Sequence, residues 1–432
     1  MTPHPDPLPH RESEPLNGMR GVWARTDRWS LLVVGVALLL ALPVLTVFVT
    51  ALQPAGAVWR HLADTVLTDY VWNSVLLMLG VGAGALLIGV PAAWLTSLHE
   101  FPGRRWLEWA LLLPMAIPAY IIAYTYTGLL DFAGPVQTLL RAGFHWTRQD
   151  YGFPEIRSLP GAVVMLALVL YPYVYLLARA AFLDQSVAVL EVSRTLGAGP
   201  WRRFYAVSLP MARPALIAGV SLVQMEALAD YGTVQYFGVG TFTTGIFRVW
   251  YGMNDSTAAA QLAALLLLFV FALLVFERWS RRRARFHHAG NRQYRPARLS
   301  FAGRWGWLAT VACLVPLLFG FLIPAGQLTV WAWRTAPHVV DGRFLALLAN
   351  SLLLALGAAL LILVLALLLG YGQRLRPRPL VRWAVRSAGL GYAATGTVVA
   401  IGVMLTFAAL DRRVDAWARQ WIGVSTGRLL RG

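Results

Sequence analysis

Apolar stretches the length of a membrane-crossing helix follow one another along the chain, separated by short polar segments. Nine are readable, at about residues 29–50, 71–95, 106–130, 161–182, 214–237, 258–276, 306–328, 350–372 and 383–410. A hydrocarbon core roughly 30 Å thick requires about 20 apolar residues in a helix, and a backbone without water must satisfy its own hydrogen bonds. The pattern predicts an all-α polytopic membrane protein with about nine transmembrane helices. Residues 1–28 are polar and proline-containing, with no small-residue cleavage site after the first apolar stretch, which predicts a retained helix behind a cytoplasmic N-terminal tail.

Composition agrees. The 432 residues are 58% hydrophobic and 13% charged, against about 25% charged in a soluble domain. All 37 basic residues are arginine, so the chain has no Walker A loop and no Schiff-base lysine. Cys313 is the only cysteine, which excludes disulfides and multi-cysteine metal sites within one chain.

Arginine counts set the expected orientation, because positive loops stay in the cytoplasm. With the N-terminus inside, inside segments hold 25 arginines and outside loops hold 7, the remaining 5 lying after the ninth stretch. The net charge of +17 then answers to topology and to the anionic lipid of the bilayer, and no nucleic-acid partner is needed. The expected localisation is a membrane crossed several times, with the N-terminus in the cytoplasm.

An internal repeat stands at an offset of 277 residues. Asn73-Ser74, Leu76-Leu77, Leu79 and Gly80 recur as Asn350-Ser351, Leu353-Leu354, Leu356 and Gly357, and Trp106 recurs as Trp383. The expected organisation is a tail at 1–28, a first half of six helices at 29–277, a basic cytoplasmic linker at 278–304 and a partial second half of three helices at 305–432. A complete second half would run to about residue 550, so a C-terminal truncation is expected, with pairing of two such chains as one substitute for what is missing.

The polar loop after the fourth stretch, residues 184–212, carries the strongest motif: Glu191-Val-Ser193-Arg-Thr-Leu-Gly197, then Pro200-Trp201-Arg202-Arg203, then Val207-Ser-Leu209-Pro210. Gly197 suits a left-handed helix end, Pro200 the first turn of a second helix, and Pro210 its end. A helix-turn-helix lying flat on the cytoplasmic face is predicted.

This spacing resembles the EAA coupling loop of ABC importer permeases: Glu, three residues after its short side chains, Gly, nine residues, a branched residue, any residue, Leu-Pro. Val and Ser replace the two alanines. The stretch from Leu228-Ala-Asp230-Tyr231 to Tyr251-Gly252 is similar to ferric-iron-type permeases, proteins of two fused halves. The resemblance implies a type I importer permease fold and a loop (Glu191, Ser193, Gly197, Trp201, Arg202, Arg203, Val207, Leu209, Pro210) that docks on a separate cytoplasmic ATPase dimer. It also implies a periplasmic substrate-binding protein, ATP and magnesium used by the partner with no cofactor held by this chain, and ferric iron as cargo. Thiamine and phosphonate importers share the same fused plan.

Within the membrane, Glu226 and Asp230 fall four residues apart, which puts both on one helix face. With Tyr231, Tyr120 and Tyr124 they are the candidate translocation path, where oxygen ligands suit a hard cation; Tyr126, Tyr171, Tyr173 and Tyr175 are weaker candidates. The competing reading is that Asp230 caps a helix and the tyrosines form interfacial belts. Pro114 and Pro118 predict a break in the third helix, which their repeat counterparts Gly391 and Thr395 do not. No acid, base or metal cluster for chemistry is visible, and the histidines, His99 among them, read as surface residues. A polytopic enzyme lacks that cluster; an ion-coupled transporter would fit the two carboxylates but calls for inverted repeats.

Overall fold

The computed structural model describes residues 28–54, 56–185, 192, 193, 195–197, 199–282, 299–301, 303–375, 378–389, 395–423 and 425. Glu191 lies outside the described residues.

The described residues are helical nearly throughout. α1 is Arg28–Ala51, α2 Ala57–Thr65, α3 Leu67–Leu98, α4 Arg104–Ala110, α5 Ala119–Leu130, α6 Pro135–Phe144 and α7 Leu159–Leu183. α8 is Trp201–Ala229, followed by two short helices, α9 Gly232–Tyr236 and α10 Phe242–Phe247, and then α11 Ser256–Arg282. α12 is Arg304–Val339. α13 Gly342–Leu375, α14 Pro379–Gly389 and α15 Gly396–Trp421 complete the order. Two two-residue strands, β1 His99–Glu100 and β2 Leu299–Ser300, pair in parallel, with His99 beside Leu299 and Glu100 beside Ser300.

Among the described residues seven helices are long and apolar enough to cross a membrane, and an eighth crossing arises if the pair bent by 89° between Ala116 and Ala119 is one span. Nine were expected. The third span breaks where Pro114 and Pro118 stand, as the sequence predicts, because each proline removes a backbone donor and crowds the preceding turn. The ninth expected span is instead two helices. α14 ends at Gly389, and the apolar part of α15 stops at Leu410, where Asp411, Arg412 and Arg413 follow within the same helix. The fifth runs over Trp201–Ala229 rather than 214–237.

Helix boundaries follow the repeat. The 277-residue offset carries the end of α3 at Leu98 onto the end of α13 at Leu375, and the start of α5 at Ala119 onto the start of α15 at Gly396. The interruption within the third span is therefore duplicated, contrary to expectation, at the restart on Gly396, although Gly391 and Thr395 replace the prolines. A helix restart needs a starting cap as well as a breaker, and the Thr395 side chain supplies one by accepting from the Val398 N–H.

The chain divides into two compact units, residues 1–41 with 349–390 and residues 42–348 with 391–432. In the first, Gly372 of α13 lies directly against Val33 of α1, and most of α13 presents leucine to the surroundings, as a lipid-facing helix does. In the second, α3 and α7 are packed along their lengths. A Cβ on Gly84 would sit 2.7 Å from that of Ala167, and one on Gly89 would sit 2.9 Å from the Tyr171 carbonyl oxygen. Small residues at such positions let backbones approach where lipid offers no hydrophobic drive. Leu77, Val81, Ala85, Leu166, Val174 and Phe182 fill the resulting core, and a second core joins Phe242, Ile246, Leu262, Leu266 and Ile401.

Candidate functional site: an elbow beside a buried ion network

The segment between α7 and α8 begins with Gln185, whose side chain is buried and donates to the Ser208 carbonyl at 2.8 Å. That contact explains a departure from the expected helix-turn-helix. Pro210 does not end the second helix. Residues 204–208 widen into a π-type turn and the helix continues to Ala229. A π turn shifts the hydrogen-bond register, which accommodates the donor that Pro210 lacks.

Ahead of that helix, the Leu196 N–H donates to the Val192 carbonyl at 3.0 Å and the chain reverses at Gly197, φ +74. This is the left-handed stop the sequence predicts, and a side chain there carries a steric cost. Val192, Leu196, Trp201 and Tyr205 are exposed, with Leu196 at 80% and Trp201 at 63%. Arg202 is also exposed, whereas Ser193 is buried and Arg203, Val207, Leu209 and Pro210 are half-buried. The elbow thus presents four large apolar side chains outward from a segment rimmed by arginine.

The inner side of the elbow rests on α3. The Trp94 ring lies 4.8 Å from Phe204 and 5.8 Å from Trp201, and 4.3 Å, edge on, from His99. His99 is buried and stacks on Phe301 at 4.2 Å with the rings 9° from parallel. It is not the surface histidine expected. Burial lowers its pKa from 6.5 to about 4, against the pull of the Trp94 carbonyl and with added repulsion from Arg203, because a charged imidazolium loses hydration there.

Next to this stack Arg104, 3% exposed, donates through Nε to the Thr96 carbonyl at 2.9 Å and through Nη2 to Glu108 at 3.0 Å. Glu108 also receives Arg179 of α7, and Glu100 stands 3.8 Å from Arg104. Tyr175 and Tyr171 donate to the Glu108 and Leu111 carbonyls, both at 2.9 Å, and Tyr126 to the Phe319 carbonyl at 2.6 Å. Tyr171 and Tyr175 thus satisfy carbonyls at the broken third span, and Tyr126 ties that span to α12. Sequence reading missed Trp94, His99, Arg104, Glu108 and Phe301. A glutamate between two aromatic residues in an apolar run, four residues after an arginine, was the available signal.

Toward the other end of α8, the helix stops at Ala229 and Asp230 turns to an extended backbone, φ −65, ψ 128. Glu226 thus lies within the helix and Asp230 at its end, where the chain leaves the helix. Asp230 accepts from the Thr233 and Val234 N–H groups at 3.0 and 3.2 Å, capping α9. Glu226 is half-buried and makes no hydrogen bond or ion pair with a described residue. Tyr231 packs on Phe247 at 4.4 Å, and Tyr124 stands edge on to Tyr236 and Trp331 at 5.9 and 5.5 Å. Tyr120 is exposed and borders Gly232. Among the described residues no three His, Cys, Asp or Glu side chains are grouped to hold a metal ion.

Residues 85–286, which contain the elbow, the ion network and both carboxylates, match the family described as binding-protein-dependent transport system inner membrane component. This stretch, just under half of the chain, matches an ABC importer permease domain. Similar proteins include the Fe(3+)-transport system permease protein FbpB 2 of Haemophilus influenzae, 27% identical over 348 residues, covering 78% of this chain and 63% of that protein. The molybdenum transport system permease protein ModB of Escherichia coli is 27% identical, covering 51% of this chain and 97% of its own. The sulfate transport system permease protein CysW of Escherichia coli is 28% identical, covering 48% and 70%. This chain thus spans less than two thirds of the iron permease, while about half of it spans nearly all of the molybdenum one.

Proposed function

We propose that this chain is the membrane-spanning subunit of an ATP-driven importer in the bacterial inner membrane, with its N-terminus in the cytoplasm and its elbow held by a separate ATPase dimer. The observation that carries the reading is the exposed apolar set Val192, Leu196, Trp201 and Tyr205 around the left-handed Gly197, inside the segment matched to the permease family. A water-exposed patch of this kind at a helix reversal suits a protein partner. The partner supplies ATP and magnesium chemistry; a periplasmic binding protein supplies the cargo. Closing and opening of the ATPase would rock the helices between two access states.

The 277-residue match of helix boundaries supports two repeated halves, at 29–277 and from 305 onward, joined by the basic linker 278–304. Ferric iron is the proposed cargo, from the likeness to the iron permease over 78% of this chain. Molybdate and sulfate permeases are similar over about half of it, so oxyanions are the second reading, with thiamine and phosphonate further alternatives. Glu226 is the remaining candidate on the path, being the one carboxylate of the pair not engaged in capping.

Gly197→Pro tests the docking reading, since proline holds φ near −65° and cannot adopt +74. The variant should reach the membrane at normal levels and lose co-purification of the ATPase subunit. Normal recovery of the ATPase with this variant would refute the docking role. Uptake of radiolabelled ferric iron, molybdate and sulfate by the reconstituted transporter separates the cargoes.

A further inference from the structure

The described residues at the end of the basic linker lie against the turn after α3. Leu299–Ser300 pairs with His99–Glu100, and the Phe301 N–H donates to the Glu100 carbonyl at 3.0 Å. Two residues of parallel strand hold little by themselves. Side chains reinforce the contact: Phe301 stacks on His99, Thr310 of α12 donates to the Pro102 carbonyl at 2.8 Å, and a Cβ on Gly306 would come within 3.2 Å of the Pro102 ring. The start of α12 is thus clasped to the turn between α3 and α4 by a backbone bond, a ring stack and a hydroxyl.

On the other side of that turn, Trp94 carries the ring contacts onward to Phe204 and Trp201. Phe204 is 7% exposed, and its neighbours Trp201 and Tyr205 are more than 60% exposed. A partner that presses on the outward rings therefore bears directly on the buried one, and the ring path runs without interruption from the elbow to Phe301. Interiors packed this way transmit displacement because they compress little. Arg203 of α8, Glu100 of β1 and Arg104 of α4 surround this path, and a neutral imidazole is the form that can remain stacked among them.

We propose that the Trp94–His99–Phe301 stack is the joint through which motion of the elbow reaches α3 and α12 together, making His99 and Phe301 positioning residues for coupling. The proposal rests on the ATPase-docking reading and extends it from the docking surface to the link behind it.

The test uses the full chain reconstituted with its cognate ATPase and binding protein in liposomes. Phe301→Ala should retain bound ATPase and basal ATP hydrolysis, while binding-protein stimulation of hydrolysis and uptake both fall by about fivefold or more, the scale of a typical coupling energy. Phe301→Tyr, which keeps the ring, should restore both. In a Cys313→Ser background, Glu100→Cys with Ser300→Cys places two thiols on register neighbours. Oxidising that pair should leave uptake equal to that of the reduced form, because the joint stays closed through the cycle.

Full stimulation and uptake in Phe301→Ala would overturn the joint, as would a loss of uptake on oxidation that reduction reverses. If the wild-type chain binds no ATPase, the docking reading itself fails. If the wild type binds it and Phe301→Ala remains fully coupled, only the joint fails.

Discussion

Arg104 and Glu108 stand one helical turn apart, 3.0 Å from nitrogen to oxygen, at 3% and 15% side-chain exposure. Because Glu108 also receives Arg179, one carboxylate pairs with two guanidinium groups, one on the short helix after α3 and one on α7, and Glu100 stands 3.8 Å from the first of them. Removing one member of a buried pair leaves uncompensated charge, which costs about 3–5 kcal/mol. Glu108→Ala leaves two arginines in that position and should destabilise at the lower end of that range, since both Glu108 and Arg179 retain some water. Thermal unfolding in detergent should show a drop of several degrees; an unchanged midpoint would remove the network from the list of stabilising features.

His99 gives the fold a pH dependence of known sign. Its pKa falls from 6.5 to about 4 on folding, so between those values the unfolded chain binds a proton that the folded chain does not. The stabilising contribution is complete above about pH 6.5 and is lost progressively as pH falls toward 4. At about 1.4 kcal/mol per unit the loss is of order 3 kcal/mol. Detergent-solubilised protein should melt at a lower temperature at pH 5 than at pH 7.5, and His99→Phe, which keeps a ring between Trp94 and Phe301, should flatten that difference. An equally steep pH profile in the variant would place its origin elsewhere.

Much of this arrangement is readable in the chain, and the unreadable parts share a physical cause. Apolar run length predicted the spans because a bilayer imposes a fixed thickness, and Gly197 was predictable because few residues accept a left-handed backbone. Pro114 and Pro118 predicted the third-span break for the same kind of local reason. His99 and Arg104 were not legible as buried, since the residues that cover them, Phe301, Thr96 and Glu108, include one about 200 positions away. Pro210 was misread as a stop because the π turn that tolerates it is anchored by Gln185 across the loop. Local conformation is encoded locally; burial depends also on partners far along the chain, as Phe301 on His99 shows.

The glycines of α3 should respond to alanine according to what faces them. At Gly89 the added methyl would lie 2.9 Å from the Tyr171 carbonyl, whereas at Gly357 on α13 nothing described lies within 4 Å. Gly89→Ala should cost about 1–3 kcal/mol by overpacking and lower the yield of folded protein. Gly357→Ala should be neutral or slightly stabilising, since alanine is favoured over glycine in a helix by about 1 kcal/mol. Equal effects at both positions, read from folded yield by size exclusion, would contradict close packing of α3 against α7.

Asp230 and Glu226 can be separated by conservative amides. As a cap, Asp230 needs an acceptor oxygen for the Thr233 and Val234 N–H groups, and asparagine supplies one nearly as well as aspartate does. Asp230→Asn should therefore keep both folding and uptake, while Asp230→Ala should lose about 1 kcal/mol of stability. A cation ligand would behave differently, because losing the charge in Asp230→Asn would by itself abolish uptake of a cation while leaving stability intact. Glu226, with no described partner, pays the cost of a carboxylate at membrane depth without return. Glu226→Gln should hold or raise thermal stability and reduce uptake. If the two amide variants exchange these phenotypes, Asp230 is the residue on the path and its capping contacts are incidental.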